Sequence, residues 1–198
     1  KMRFRIAGLR QVSCPAEELR IPGARNLDNA LAAVAVSMPL GVKPSAAAHA
    51  LRSFAGVEHR IERVCERAGV LYINDSKATN PDSSIKAVEA MDRPTVLLLG
   101  GSNKNSDYTP LFRAFGGKIK GVVAYGETAD QLIRDARLTG YEAITLCEEG
   151  FEAAVSMAAR MALPGDAVLL SPACASYDAF QNFEVRGRRF KEIVQKEL

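Results

Sequence analysis

The sequence predicts an α/β protein built on a mostly parallel sheet with helices on both faces. From Gly56 onward, apolar runs recur about every 22 to 25 residues, and stretches with helical periodicity separate them. Strands of a parallel sheet are apolar throughout because helices cover both of their faces. Hydrophobic residues make up 47% of the 198 residues and charged residues 25%, which is typical of a globular chain rather than a disordered or fibrous one.

Residues 1–55 are predicted to hold two helices and little else. An alanine-rich run follows Asn26 and ends at Gly41, and a second helical run, PSAAAHALRSF, comes after it. Two helices and a remnant of a strand do not enclose a hydrophobic core of their own. We therefore interpret residues 1–55 as the tail of a preceding domain, and residues 56–198 as a second domain of typical size.

The second domain is predicted to open with a hairpin and to continue as alternating strands and helices. Two β-rich runs flank the turn at residues 67–69. The predicted strands after that turn are VLYIN, TVLLLG, GVVAYG, AITL and AVLLSP. The predicted helices between and after them are SSIKAVEAM, YTPLFRAF, TADQLIRDA, FEAAVSMAARM and GRRFKEIVQKEL.

Composition excludes several classes of protein. The net charge of +3 is too small to indicate nucleic-acid binding, and no apolar run approaches the ~20 residues of a membrane span. The start, KMRFRIAGLR, is too polar for a signal peptide. Four cysteines at scattered spacings and only two histidines predict reduced thiols, a cytoplasmic location and no metal site in this chain.

Ligands of such sheets bind beyond the carboxyl ends of the strands, so the loops there form the candidate site. In the loop NDSKATNP, Asn80 and Pro81 predict the start of a helix. Lys77 and Thr79 precede the positive end of that helix, where anions are favoured. Asp75 offers an acceptor for ribose hydroxyls or a cation. The alternative is a capped turn in which Asp75 and Lys77 pair with each other.

Two further loops belong to the same predicted edge. GGSNKN combines glycines that allow close backbone approach with Lys104 as a mobile cation; the alternative is a turn with a solvated lysine. In SPACASYDAFQNFE, Ser176 and the backbone amides near Tyr177 and Phe183 predict a cradle for a carboxylate. Cys174 is expected to be buried rather than reactive, because neither histidine lies in a strand-end loop to activate it.

Other features lie outside these loops. The terminal helix carries a basic cluster that we interpret as its solvated side, namely Arg186, Arg188, Arg189 and Lys191. Asn26 and Asn29 share one helical face, where they either hydrogen-bond a base or cap the helix, the cap being preferred. Arg60 follows His59 near the domain junction, a natural place for a ligand contact. No G-x-x-x-x-G-K-[ST] sequence occurs, so the chain has no phosphate-binding loop of its own.

Five segments, in unbroken order from Ile21 to the carboxyl terminus, resemble the D-glutamate-adding members of the Mur ligase family. They read G-x-x-N-x-x-N-A-L-A-A, H-R-I-E, N-D-S-K-A-T-N, L-L-L-G-G-x-x-K and L-L-S-P-A-C-A-S-x-D-x-F-x-N-F-E-x-R-G. The resemblance implies that residues 1–55 are the remnant of a central ATP-binding domain and that residues 56–198 form a Rossmann-like, amino-acid-binding domain. The UDP-binding domain, the phosphate loop and the metal ligands of the family would then lie outside this chain.

The resemblance also implies an activity and its residues. The activity is an ATP- and Mg²⁺-dependent ligase of peptidoglycan precursor synthesis, which joins D-glutamate to UDP-N-acetylmuramoyl-L-alanine through an acyl phosphate; the isolated chain is expected to be inactive. Neither a nucleic-acid partner nor a membrane span is implied. Lys77 would be catalytic, and the ATP contacts would be Asn26, Asn29, Arg60 and Asp75. The D-glutamate contacts would be Thr79, Lys104, Ser176, Tyr177 and Phe183. The rival hypothesis is a non-catalytic, anion-binding or regulatory α/β module.

Overall fold

A computed structural model describes residues 3–4, 12–14, 18–19, 24–102 and 105–198. The chain divides into two units, Lys1–Val57 and Glu58–Leu198. The interpretation of the first unit as the remnant of a larger ATP-binding domain remains a prediction. None of the helices in the described ranges is both long and apolar enough to cross a membrane.

The first unit contains a short antiparallel pair of strands and two helices. The strands are β1 (Arg3–Phe4) and β2 (Val12–Ser13), and the helices are α1 (Ala24–Ser37) and α2 (Pro44–Ser53). A small cluster of four buried residues, Val34, Met38, Ala47 and Ala48, joins the two helices. Asn26 and Asn29 both lie within α1, so the interpretation of Asn26 as a residue ahead of the helix that caps it was wrong.

The second unit is built on one six-stranded sheet. Its strands are β3 (Glu62–Arg67), β4 (Val70–Asn74), β5 (Thr95–Gly100), β6 (Ile119–Tyr125), β7 (Ile144–Cys147) and β8 (Ala167–Leu170). Their order across the sheet is β3-β4-β8-β5-β6-β7; β3 and β4 form an antiparallel hairpin, and every other neighbouring pair is parallel. The predicted α/β class, the hairpin and the mostly parallel sheet are therefore confirmed.

Helices cover both faces of this sheet, as predicted. They are α3 (Pro81–Glu89), α4 (Thr109–Arg113), α5 (Ala129–Leu138), α6 (Phe151–Met161) and α7 (Phe183–Glu192), the last continuing into a π-helical turn, Ile193–Glu197. Side chains of a strand alternate between faces. Leu97 and Leu99 of β5 accordingly join the core cluster with residues of α3, α4 and α5, whereas Val96 and Leu98 join the cluster with α6 and α7.

The position of β8 decides which loops meet. The chain passes from β4 through α3 to β5, and the gap between these two strands is filled last, by β8. Leu170 at the end of β8 therefore lies in register with Asn74 of β4 and with Leu98 of β5. Three loops from distant parts of the sequence consequently begin side by side at the carboxyl edge of the sheet, where ligands of such folds bind.

Candidate active site

The loop after β4 is held from within by Asn74. This fully buried side chain accepts a hydrogen bond from the backbone N–H of Ser76 at 3.1 Å. Its amide nitrogen lies 2.9 Å from Nδ1 of His59 and donates to the Glu62 carboxylate at 3.1 Å. The loop ends as predicted: Asn80 accepts from the backbone N–H of Ser83 at 2.9 Å and caps α3.

Asp75 faces the interior of the protein. Its carboxylate accepts hydrogen bonds from the backbone N–H of Ile61 at 3.2 Å and from the hydroxyl of Ser171 at 2.8 Å. Burial raises the pKa of Asp75 to about 7, although these two hydrogen bonds and the charge of Arg60 act in the opposite direction. Both carboxylate oxygens thus already have partners in the protein, and Asp75 ties β4 to the end of β8.

Lys77 does not pair with Asp75. Its side chain is exposed, and its ammonium lies 3.9 Å from the centroid of the Phe183 ring. The alternative interpretation of this loop, a turn closed by an Asp75–Lys77 ion pair, is therefore wrong. Thr79 follows at a half-buried position immediately before α3, and its backbone N–H donates to the carbonyl of Lys77 at 2.9 Å.

The glycines after β5 serve the packing of the loops. A Cβ atom on Gly100 would lie 1.9 Å from the carbonyl oxygen of Tyr125, and one on Gly101 would lie 2.1 Å from that of Ala175. Both positions have φ near +140°, which favours glycine. The close approach predicted for these glycines is hence an approach of backbone to backbone. Lys104 lies outside the described residues, so its role remains a prediction.

The loop after β8 pairs with the loop after β5. Ser102 and Ala175 form an isolated antiparallel bridge, with the Ser102 N–H donating at 2.9 Å. Cys174, which directly precedes Ala175, is buried, as predicted, and its sulfur contacts the hydroxyls of Tyr108 at 3.0 Å and Thr128 at 3.3 Å. Burial raises the pKa of the Cys174 thiol, which disfavours the reactive thiolate.

Of the three residues predicted to cradle a carboxylate, Ser176 and Tyr177 precede α7 and Phe183 begins it. Ser176 is buried and its carbonyl accepts from the N–H groups of residues 179 and 180. The side chain of Tyr177 is 73% exposed. Phe183 is the first residue of α7, where Asn182 caps the helix by accepting from the N–H of Val185 at 2.9 Å. The Phe183 N–H therefore belongs to the first turn, whose amides favour an anion.

Arg186 corrects the interpretation of the basic cluster. Arg188 is exposed and Arg189 half-buried, as expected for a solvated side, but Arg186 is fully buried. Its guanidinium donates to the hydroxyl and the carbonyl of Ser76, both at 2.9 Å, and to the carbonyls of Cys174 at 3.1 Å and Ala175 at 3.2 Å. No carboxylate in the described part of the chain forms an ion pair with it.

Arg186 thus joins the loop that carries Lys77 to the loop that carries Ser176. Neither Arg186 nor Asn74, the second buried side chain that holds these loops, was predicted as a site residue from the sequence. A signal was present for both: Arg186 belongs to the R-G pair that closes the last resembling segment, and Asn74 opens the loop NDSKATN.

His59 and Arg60 point in different directions. His59 is 2% exposed, adopts φ of 65°, and donates its backbone N–H to Glu62; burial lowers the pKa of its imidazole. Arg60 is exposed.

One group of side chains in the described ranges has the spacing of metal ligands, namely Glu58, His59 and Glu62. The ammonium of Lys191 lies 3.0 Å from the carboxylate of Glu58 and 2.6 Å from that of Glu62. This group does not offer free ligands to a divalent cation, because the ammonium of Lys191 already pairs with both carboxylates.

The second unit therefore brings together Lys77, Thr79, Ser176 and the start of α7 on interlocked loops at one sheet edge. Asn26 and Asn29 belong to the first unit, where Asn29 is exposed. Chemically, an exposed ammonium beside helix-terminal amides can bind an anion and stabilise negative charge that develops during a reaction.

Comparison with known proteins identifies close relatives. Residues 59–174 match the family described as Mur ligase, glutamate ligase domain. A protein of Pelotomaculum thermopropionicum named UDP-N-acetylmuramoylalanine–D-glutamate ligase is 52% identical over 96% of this chain, and proteins of the same name from Alkaliphilus oremlandii and Clostridioides difficile are 48% and 40% identical over 90% of it. The chain spans only 39–41% of the length of these relatives.

Solved structures support the fold. A UDP-N-acetylmuramate–alanine ligase of Thermotoga maritima superposes with a TM-score of 0.68 at 19% identity, over 91% of this chain and 40% of that one. A bifunctional folylpolyglutamate synthase/dihydrofolate synthase of Yersinia pestis, complexed with AMPPNP and a manganese ion, superposes with a TM-score of 0.67 at 19% identity, over 96% of this chain and 43% of that one.

Proposed function

Because the chain belongs to the Mur ligase family, through a domain of the glutamate ligase type, we propose that it is the D-glutamate-binding part of an ATP-dependent ligase. The ligase adds D-glutamate to UDP-N-acetylmuramoyl-L-alanine in the synthesis of peptidoglycan precursors. The names of relatives up to 52% identical over nearly the whole chain support this choice of substrates.

One observation carries the proposal. Arg186 binds the loop of Lys77 and the loop of Ser176 at the same time, so that an exposed cation and the amides at the start of α7 occupy one edge. D-Glutamate carries two carboxylates, and it therefore needs two separate sets of donors. We assign Ser176 with the N–H groups of Tyr177 and Phe183 to one carboxylate, and Thr79 with Lys104 to the other.

The reaction requires two transfers. The alanine carboxylate first takes the γ-phosphoryl group of ATP, giving an acyl phosphate and ADP. The D-glutamate amine then attacks the acyl carbon, and the tetrahedral intermediate expels inorganic phosphate as the amide forms and the amine loses its proton. Lys77 stabilises the negative charge on the phosphoryl oxygens, and the carboxylate contacts orient the amine. The contacts of Arg60, Asn26 and Asn29 with ATP remain predictions. A contact of Asp75 with ATP would require its buried carboxylate to exchange Ser171 or the N–H of Ile61 for the nucleotide.

The family activity also calls for Mg²⁺. In the one group of potential ligands in the described ranges, both carboxylates already pair with Lys191, so no metal-dependent step is assigned to this chain. We place the metal ligands outside its 198 residues.

The test compares substitutions in the full-length ligase that carries this chain. Lys77→Ala should lower kcat roughly 100- to 1000-fold, because it removes a charge that acts in the transition state. Thr79→Val should instead raise the KM for D-glutamate about tenfold, because it removes one hydrogen bond to a bound carboxylate. Lys86→Ala is the matched control, since Lys86 forms an exposed ion pair with Glu89 on α3. Absence of phosphate release that depends on both ATP and D-glutamate in the unsubstituted protein would overturn the proposal.

The rival function is a non-catalytic, anion-binding or regulatory module. Its best-known form is phosphorylated at an aspartate and requires an accessible acidic side chain at a strand end. Asp75 has that position but is buried, with its oxygens hydrogen-bonded to Ile61 and Ser171. No observation favours this function. Phosphotransfer from a small phosphodonor to Asp75, absent in Asp75→Asn, would restore it.

A further inference from the structure

Building on the proposed function, we propose that the aromatic ring of Phe183 is a positioning group for Lys77. The proposal concerns the ring, whereas the assignment of Phe183 to D-glutamate concerns its backbone N–H. One residue would thus have two roles in the reaction. Its ring would position the Lys77 ammonium that faces the phosphoryl group, and its backbone N–H would bind a carboxylate of D-glutamate.

The contact between the two side chains has the geometry of a cation–π interaction. The Lys77 ammonium lies 3.9 Å from the centroid of the Phe183 ring, within the ~6 Å over which the negative face of a ring attracts a cation. Lys77 is exposed, and in the described part of the chain its ammonium forms neither an ion pair nor a hydrogen bond. The ring is consequently the contact that restricts this ammonium.

Buried groups in turn hold the ring. The imidazole of His59, which is 2% exposed, meets the Phe183 ring edge-on, with centroids 6.1 Å apart and planes at 85°. The backbone of Phe183 is fixed by the hydroxyl of Ser76, which donates to its carbonyl at 2.8 Å. Ser76 and Lys77 are neighbours in the sequence, so the same short segment supplies both the anchor of the ring and the cation that lies on it.

This arrangement matters for a lysine more than for an arginine. A lysine carries a point charge on a flexible stem of four carbons, and ordering that stem costs conformational entropy. A ring that holds the ammonium before substrate binds reduces the cost at the moment of reaction, because the charge is already placed. The ring forms no hydrogen bond with the ammonium, so the three N–H donors of Lys77 stay available for phosphoryl oxygens.

The contact itself is tested by NMR on the 198-residue chain. Protons above an aromatic ring are shifted upfield, so the ε-methylene protons of Lys77 should resonate upfield of those of Lys86, which lies beside Glu89 instead. In Phe183→Leu the difference between the two lysines should disappear. Equal shifts for Lys77 and Lys86 in the unsubstituted chain would overturn the inference without bearing on the proposed function.

The role in catalysis is tested by fluorinated phenylalanines placed at position 183 of the full-length ligase. Fluorine withdraws electron density from the ring with little change in shape, so kcat should fall stepwise, by about 3- to 30-fold at full fluorination. The KM for D-glutamate should stay within twofold, because the backbone amide is intact. The same series at Phe112, whose ring packs on Phe115 and Tyr141, is the control and should leave kcat unchanged.

Two outcomes separate this inference from the function on which it rests. A normal kcat with fully fluorinated Phe183, in a ligase that is active, would overturn the positioning role and leave the proposed function standing. Absence of ligase activity in the unsubstituted protein would overturn the proposed function, and with it the catalytic role of the contact, even where the upfield shift of Lys77 is present.

Discussion

At the scale of single residues, burial governs the protonation of Asp75. Transfer from water into the protein disfavours the charged form, and this effect exceeds the stabilisation of the carboxylate by Ser171 and by the N–H of Ile61. The pKa therefore rises from 3.8 in the reference state to about 7 in the folded chain. Between these two values the folded protein holds a proton that the unfolded chain has released.

The raised pKa of Asp75 predicts that its contribution to stability is present at low pH and lost as pH rises through about 7. The quantity to follow is the difference between two free energies of unfolding, that of the unsubstituted chain minus that of the Asp75→Asn variant. This difference should fall by up to about 4 kcal/mol between pH 4 and 7.5. Urea unfolding of both proteins across this range provides the measurement. The comparison with Asp75→Asn is needed because the lowered pKa of buried His59 has the opposite effect, weakening the fold as pH falls below about 6.5. A difference that grows with pH would contradict the prediction.

At the scale of elements, the start of α7 packs against the segment before β3 so closely that one position admits no side chain. Gly187 lies inside α7, where alanine normally stabilises a helix by about 1 kcal/mol relative to glycine. A Cβ atom at this position would lie 2.2 Å from Nδ1 of His59. His59 is buried and hydrogen-bonded to Asn74, so it has little freedom to move away. Steric overlap therefore outweighs helix propensity here.

We predict that Gly187→Ala destabilises the chain by about 2 kcal/mol or more, against the sign expected from helix propensity. Combining it with His59→Ala should make the added methyl group nearly harmless, because the ring that it meets is gone. Urea unfolding of the two single variants and the double variant gives the interaction free energy directly. Additive effects of the two substitutions would show that the overlap is relieved in another way.

Arg186 is the element-scale link between the two loops of the site. Its guanidinium binds three carbonyls and one hydroxyl from both loops, and removing it would leave these buried acceptors without a partner. We predict that Arg186→Met lowers the free energy of unfolding by about 3 kcal/mol. Arg186→Lys should rescue little of this loss, because one ammonium cannot reproduce the planar set of donors.

Arg188→Met is the matched control for Arg186→Met, since Arg188 is exposed on the same helix. Its effect should stay within about 0.5 kcal/mol. Hydrogen exchange should also distinguish the two positions, with faster exchange at the amides of residues 75–79 and 173–176 in the Arg186 variant alone. Equal stability of the two variants would contradict the linking role of Arg186.

At the scale of the whole molecule, we expect the proposed chemistry to need residues beyond these 198. The sequence contains no G-x-x-x-x-G-K-[ST] motif, and the relatives that it matches are more than twice as long. We predict that the chain by itself binds D-glutamate but forms no amide from ATP, D-glutamate and UDP-N-acetylmuramoyl-L-alanine, and that it binds ATP only weakly. Calorimetry with each ligand and a phosphate-release assay test the three parts. Micromolar affinity for ATP, or turnover by the purified chain, would contradict them.

The periodicity of the sequence was sufficient to predict the architecture of the second unit. Continuous apolar runs such as TVLLLG can be buried on both faces only in a covered, parallel sheet, and Asn80 followed by Pro81 marks a helix start by local backbone chemistry alone. The motifs were also predicted to share one edge of the sheet, and the parallel order of β4, β8 and β5 brings the loops that carry them together there. Apolar periodicity and helix capping depend on residues that are close together in the sequence, and a sequence pattern can therefore predict them.

The tertiary structure decided the features that depend on distant residues. Arg186 belongs to the same basic run of α7 as the exposed Arg188, and it is buried because the loops after β4 and β8 converge on it. Lys77 lies against Phe183 rather than Asp75 because the fold turns Asp75 inward, toward Ser171. Burial decides which partner a charged side chain contacts, and so do residues that lie about a hundred positions away in the sequence. The sequence by itself determined that apolar strands alternate with helices and that the candidate loops share one edge; the packed structure determined which side chains at that edge are buried and which are exposed.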